Sequence, residues 1–302
     1  MLYFLFSLLV LVILLIGNAA LSIFLGILFA YFFKLPKTFI SKKVSTIPLQ
    51  IGIVILGATI SLPYALDVSS EYLPWISLFV VASFFAGLLI GKILGIHRRI
   101  AFLLSAGAAI CGGTAMAAIA PIIKAKPQEL LIAMTIIFLL NALAIILFPL
   151  AGNYLGMNNF EFGAWSALAI HDTSSVIGSA LIFSNESAQV AATLKLGRTI
   201  WLIPLILIAN WIFNREVTAA KFPRFIIFFI LAIIINTLFN FNYEVQNFLQ
   251  TISQAFLIVG LFCIGTQFNS SELSSLSGKP LILALMLWVA VIPSAYYLVK
   301  YF

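Results

Sequence analysis

Eleven apolar segments follow one another along the 302 residues, and two of them carry polar or glycine breaks that an uninterrupted membrane helix would not tolerate. They run roughly over 2–16, 18–33, 45–62, 74–96, 100–123, 128–152, 161–183, 188–213, 223–239, 245–267 and 280–299. Each is near the ~20 residues that a bilayer crossing needs, or somewhat shorter. A spanning helix satisfies its own backbone polar groups, so irregular backbone cannot face lipid at membrane depth. The breaks, Ala109-Ile110-Cys111-Gly112-Gly113-Thr114 and His171-Asp172-Thr173-Ser174-Ser175, therefore imply protein-lined or water-lined space within the membrane. Carriers with discontinuous helices place their substrate in such space.

Composition narrows the alternatives. The chain is 63% apolar and 8% charged, against about a quarter charged in a soluble domain. The expected fold is an all-α polytopic membrane protein with about eleven segments. A net charge of +7 would suggest nucleic acid in a soluble chain, but here the basic residues occupy short loops. They read as topology-setting charge, and no nucleic-acid partner is expected. Cys111 and Cys263 lie inside apolar segments and have neither disulfide nor metal-ligand spacing. No metal or cofactor is expected.

The apolar start superficially resembles a secretory signal, yet the first basic residue is Lys34, whereas a signal needs a positive n-region. The start reads as a retained first helix. Residues 2–33 as one helix would be ~48 Å long, too long for one span, so Gly17-Asn18 is expected to divide two short ones. Pro48, Pro74, Pro127, Pro223 and Pro280 fall at proposed helix starts, where a missing N–H costs little. Pro149, Pro204 and Pro293 fall inside segments and predict kinks.

Loop charges give the orientation. Lys34, Lys37, Lys42 and Lys43 form one basic loop; Lys92, His97, Arg98 and Arg99 another; Arg215, Lys221 and Arg224 a third. Asp67 with Glu71, and Glu244, mark the alternate loops. The positive-inside rule then places the N-terminus in the cytoplasm of a multi-pass cell-membrane protein. Lys124 and Lys126 disagree: either residues 100–123 turn back to the cytoplasmic face, or these lysines face an external vestibule. The two arms of that segment are together long enough to cross, so a discontinuous crossing helix is the expectation.

The whole chain, 1–302, reads as one integral membrane transport domain. Residues 53–66 echo 258–273, which suggests inverted repeats over 18–96 and 223–299 around a core of broken helices at 100–213.

Several residues could form a midplane site. Gly112-Gly113 weakens a helix by ~1 kcal/mol per glycine, and Thr114 suits the N-cap of a helix restarting at Ala115. Asp172 is the one carboxylate away from the ends of a segment and adjoins His171, one of two histidines. Intramembrane ionisable groups are costly and usually functional. Thr173, Ser174 and Ser175 add hydroxyls and a second N-cap for a helix resuming at Val176. Lys195 and Arg198 share one helix face. Asp172 lies thirteen residues before Asn185, the natural turn, and Arg198 thirteen after it, so the two should meet at one depth. Cations and half-helix N-termini favour an anion, while Asp172 and His171 could hold a coupling proton or cation. Asn141, Thr266 and Gln267 are lesser polar candidates.

These motifs resemble a known family. Ala109-Ile110-Cys111-Gly112, Ile170-His171-Asp172-Thr173 and Lys195-Leu196-Gly197-Arg198 are similar, in this order and across nearly the whole chain, to the YeiH-type family of proposed sulfate exporters. That family more often has Glu at the position of Asp172 and Thr before the Arg; Asp keeps the carboxylate but shortens its reach. More distantly, Gly112-Gly113-Thr114 resembles the broken helix of the bile-acid:sodium symporter superfamily. That likeness implies panel and core domains with an elevator-like or rocking motion.

The expectation is a secondary carrier, exporting sulfate or a sulfonate-type anion through a site of Cys111, Gly112, Gly113, Thr114, His171, Asp172, Thr173, Ser174, Ser175, Lys195 and Arg198. A sodium- or proton-coupled organic anion carrier is the alternative. No enzyme is expected, because a Cys111-His171-Asp172 hydrolase would leave Lys195 and Arg198 unexplained. Expected partners are the small anion, a coupling proton or sodium ion, and the bilayer. A homodimer remains an open arrangement.

Overall fold

A computed structural model describes residues 2–36, 39–44, 47–213, 224–267 and 278–301. Among the described residues every regular element is helical: α1 (Leu2–Ile16), α2 (Ala19–Phe33), α3 (Ile40–Val44), α4 (Ile47–Gly57), α5 (Leu62–Ile93), α6 (Arg98–Ala109), α7 (Gly113–Ile119), α8 (Pro127–Tyr154), α9 (Asn159–Ala169), α10 (Thr173–Phe183), α11 (Asn185–Thr199), α12 (Leu202–Phe213), α13 (Arg224–Phe239), α14 (Tyr243–Gly265) and α15 (Lys279–Tyr301). The basic residues Lys37, Arg215 and Lys221, the proline Pro223 and the repeat end Glu272-Leu273 lie outside the described residues.

The protein is an all-α polytopic membrane protein. Five described stretches are individually long and apolar enough to cross: Tyr72–Ile93, Gln128–Tyr154, Asn185–Phe213, Tyr243–Gly265 and Lys279–Tyr301. A sixth would be α4 with the start of α5, bent by 101°.

The chain divides into two compact units. The first comprises residues 1–66 and 224–273, with α2 and α4 packed on α14 and α13 packed on α4. Gly26 of α2 lies against the Phe262 carbonyl, so any side chain there would collide with backbone. That approach lets Ser22 Oγ donate to the Ile258 carbonyl at 2.6 Å. The second unit comprises residues 67–223 and 274–302. The proposed repeat copies divide alike: α2, α4, α13 and α14 fall in the first unit, and most of α5 and all of α15 in the second.

Several local expectations hold. Gly17, at φ +68°, and Asn18 separate α1 from α2, and the Asn18 side chain caps the Leu21 N–H. Pro204 cannot donate to the turn before it, and the helix is interrupted at Ile200–Trp201 between α11 and α12. Pro74 does not start a helix: α5 begins twelve residues earlier, at Leu62, and Pro74 lies inside it. Ala65, Val68, Tyr72 and Ile76 recur at helical spacing and are all buried, so packing overrides the local signal. Asp67 and Glu71 are thus helical, not loop, residues.

The largest correction concerns the two broken segments, which fold back instead of continuing across. A Cβ at Gly107 would stand 3.2 Å from the Met116 side chain, although nine residues of straight helix would separate them by ~13 Å. His97, before α6, contacts Glu129, after α7, at 3.1 Å. Residues 98–119 therefore form a hairpin closed at its base. α9 and α10 form another: the Phe162 and Phe183 rings stack at 4.0 Å. Beyond them Asn159 Nδ2 donates to Glu186 Oε2 at 2.9 Å.

The first hairpin closes at the N-terminal end of α8, through Glu129. The second begins just beyond the C-terminal end of α8, and both of its Phe rings pack on Gly152. The hairpins thus enter the unit from opposite ends. Arms of 12 and 11 residues reach about 18 and 17 Å, against about 42 Å for the 28 residues of α8. Their tips are bound to approach each other near mid-depth.

Candidate functional site

The tips do touch. Gly112 adopts φ +60°, and a Cβ built there would sit 3.2 Å from both Cα and Cβ of Asp172. Only glycine lets these two turns meet so closely at a left-handed φ. Both tips rest on the middle of α8: Gly113 lies against Phe138, and the His171 N–H donates to Asn141 Oδ1 at 3.3 Å.

Each break leaves helix-end carbonyls without intrahelical partners. The chain satisfies them with cations from α11. Arg198 Nε donates to the Ala109 carbonyl at 2.6 Å and Nη2 to Ala108 at 2.8 Å, both at the end of α6. Its Nη1 donates to Ala167 at 3.1 Å and Leu168 at 2.7 Å, at the end of α9. One guanidinium thereby fastens both tips, with the Phe79 ring 5.6 Å from its central carbon. Lys195 Nζ donates to Ile170 at 2.7 Å and to Ala167 at 3.3 Å. Both side chains are fully buried, so Lys195 does not snorkel to the interface. Cations at helix C-termini also offset the dipole there.

The depth match between Asp172 and Arg198 is therefore real, but the expected pairing is not formed. Asp172 makes no ion pair among the described residues; its Oδ2 accepts from Ser175 N at 3.1 Å and Ser175 Oγ at 3.2 Å. Asp172 is itself the N-cap of α10, displacing Thr173, Ser174 and Ser175 from that role. A guanidinium with several diverging donors suits four carbonyls better than one carboxylate. In the other hairpin α7 restarts at Gly113 with Gly112 as N-cap and no side-chain cap, so Thr114 lies in the first turn.

The expected residues all gather at the tips, but they differ in access. Cys111, Gly112, Gly113, His171, Thr173, Ser175, Lys195 and Arg198 are buried, whereas Thr114, Asp172 and Ser174 are partly open. The open face thus presents two hydroxyls and a carboxylate, with the cations behind it. Thr266, a lesser candidate, belongs to the other unit; its hydroxyl donates to the Cys263 carbonyl and pairs with the Ser41 hydroxyl.

Sequence reasoning missed Ser166 and Ser179 in this unit. Asn141 Nδ2, Ser166 Oγ and Ser179 Oγ make no hydrogen bond, although all are buried. The one signal was a serine facing inward on each arm of the second hairpin, which the expectation of a crossing helix concealed. A small apolar groove lies beside the first tip, between Val80 and Phe84 of α5, Ala109 and Ile110, and Leu205 of α12.

Comparison with known proteins agrees with the earlier resemblance. The profile of a family described as conserved hypothetical protein 698 matches residues 2–284. A UPF0324 membrane protein of Bacteroides thetaiotaomicron is 39% identical over 272 residues, covering 89% of this chain and 82% of that one. One from Vibrio parahaemolyticus is 37% identical, covering 91% and 90%, and one from Porphyromonas gingivalis 36%, covering 89% and 83%. No solved structure matches the chain significantly.

Proposed function

We propose a transport function for this chain, which belongs to the UPF0324 membrane protein family: a secondary carrier moving a small anion, sulfate or sulfonate-type, past the paired hairpin tips. The observation that carries the reading is the meeting of two opposed hairpins at mid-depth, with Lys195 and Arg198 buried behind a partly open polar face. Two buried cations outnumber Asp172 there. In a low-dielectric surround their field reaches an anion on the open face even though their hydrogen bonds go to carbonyls. The Thr114 and Ser174 hydroxyls would then coordinate it, and Asp172 would seat the coupling cation. Export as the net direction comes from the family resemblance alone.

The apolar groove beside Ala109 and Ile110 favours one second reading, a sodium- or proton-coupled carrier of an organic anion whose apolar body would occupy it.

The test is uptake of labelled sulfate into proteoliposomes, with competing inorganic, sulfonate and carboxylate anions under imposed pH and sodium gradients. Saturable uptake suppressed by small oxyanions is expected. Suppression only by apolar carboxylates would favour the second reading. Uptake no greater than in protein-free vesicles, for every anion, would end both.

A further inference from the structure

Away from the tips, the base of the first hairpin is a strongly charged surface where five helix ends meet. His97, before α6, contacts Glu129 of α8 at 3.1 Å. The Arg98 guanidinium lies 4.8 Å from the centre of the Phe213 ring, at the end of α12. A Cβ built at Gly95, just after α5, would stand 3.6 Å from Lys279 Nζ, at the start of α15. Six cations gather on these ends: Lys92, Arg98, Lys124, Lys126 and Lys279 are exposed, and Arg99 is half-buried. The one acid there among the described residues, Glu129, is buried and already engaged. Its Oε2 accepts from the Lys126 N–H at 2.7 Å, and its Oε1 faces His97. At the opposite end of the unit the acids Glu161 and Glu186 stand against Lys300 and Asn159.

Topology-setting charge explains the sign of this end, but not its arrangement. Acids stabilise a helix N-terminus, and cations oppose its dipole. Yet α6 opens on Arg98 and Arg99, with no acid in its first turn and no side-chain cap. α15 opens on Lys279, again with no acid. Like charges are thus concentrated where the chain supplies no free counter-charge, and an anion from outside would lower the energy of them all. What flanks the cations narrows the choice of anion. Leu89 lies three residues from Lys92 on α5, Ile282 three residues from Lys279 on α15, and Leu131 five residues from Lys126 on α8; all three are exposed. A free phosphate or an acidic peptide would use the cations and leave this apolar rim unmatched. A charged headgroup carrying acyl chains matches both.

We infer that the base of the first hairpin binds an anionic phospholipid, its phosphate among Arg98, Arg99 and Lys126 and its acyl chains on the apolar residues beside them. Glu129 ties Lys126 to His97, which sets that lysine beside the two arginines. Arginine forks suit phosphate oxygens, and clusters of about four to eight basic residues at the cytoplasmic edge of a membrane attract anionic headgroups. The positive-inside rule puts this end at the cytoplasmic leaflet. The lipid site stands apart from the transport reading, since it uses no residue of the tips.

The test uses the full chain in mild detergent, with phosphatidylglycerol, phosphatidylcholine or inorganic phosphate titrated in while tryptophan-monitored melting is followed. Phosphatidylglycerol should raise Tm saturably, and less so at high salt; phosphatidylcholine at the same mole fraction should not. The Arg98→Gln/Arg99→Gln/Lys126→Gln variant should raise the half-saturating phosphatidylglycerol concentration on the order of a hundredfold. Lys300→Gln, at the other end of the unit, should leave it unchanged. Equal stabilisation by phosphatidylcholine, or a shift below about threefold in the triple variant, would overturn the lipid site. Stabilisation by inorganic phosphate alone, lost in the triple variant, would overturn it in favour of a soluble anion. A second measurement removes no charge. Trp211 is exposed, two residues before Phe213. Phosphatidylglycerol brominated near its headgroup should quench this residue, read as wild type minus Trp211→Phe, at a lower mole fraction than phosphatidylcholine brominated at the same place. Equal quenching by the two lipids would refute the site.

Discussion

Arg198→Ala should unfasten the two hairpin tips, and the structure sets the size of the effect. Four charge-assisted hydrogen bonds are lost, and the carbonyls of Ala108, Ala109 and Leu168 are left buried without that partner, while Ala167 keeps Lys195. Orphaned buried acceptors cost about 1–3 kcal/mol each, so the three together cost at least about 3 kcal/mol. No carboxylate is stranded, because Asp172 is not bonded to Arg198, and losing a buried cation also removes its own desolvation cost. A net loss of about 3–5 kcal/mol follows, which corresponds to a fall in Tm on the order of 10 °C. Arg198→Lys keeps the charge but offers one nitrogen to two helix ends, and should lose about half as much. Tryptophan-monitored melting in mild detergent, read beside sulfate flux, separates a brace from a ligand. A brace lowers Tm and maximal rate together. The reasoning fails if Arg198→Ala melts within about 2 °C of wild type and raises only KM.

The absent ion pair gives a second expectation: Asp172→Asn and Arg198→Gln should be additive in stability within about 0.5 kcal/mol. Strong compensation in the double variant would restore the pairing that the structure lacks. Gly112→Ala meets a left-handed φ and the Asp172 backbone at 3.2 Å. It should cost at least about 1–2 kcal/mol and reduce sulfate flux more than Gly156→Ala, at another positive-φ glycine that faces open space; equal effects would deny the tip contact any importance. Cysteines placed singly at Arg99 and Lys126 should be labelled from one side of the membrane and a cysteine at Asn158 from the other. Labelling of Arg99→Cys and Lys126→Cys from opposite sides would contradict the first hairpin.

Hydropathy and break chemistry made much of this legible. Gly112-Gly113 and Asp172 marked both tips, the thirteen-residue offsets put Arg198 at the right depth, and Gly17-Asn18 divided the first two helices. The direction after each break was not legible, because arms of 12 and 7 residues can be laid end to end or side by side with equal hydropathy. One signal did favour folding back: Lys124 and Lys126 disagreed with positive-inside charge unless their segment returned to its starting face. The partners of Arg198 were hidden for another reason. Backbone carbonyls carry no letter in the sequence, so the search for a counter-charge stopped at the nearest carboxylate.

The bracing also limits how the site could work under the transport reading. Opening one hairpin alone would break the two Arg198 bonds to that tip, each worth about 1.5–3 kcal/mol as a charged hydrogen bond, and would part Gly112 from Asp172. A penalty of about 3–6 kcal/mol leaves the parted state populated at roughly one part in a hundred to one in ten thousand. Gating by a single hairpin would then be rare unless the substrate itself replaced those bonds. A small anion offsets only part of this, since it can take the freed guanidinium donors but is repelled by the bared carbonyl oxygens. The anion that suits the cations is thus the wrong ligand for an opened tip, and alternating exposure has to come from moving both tips together as one body.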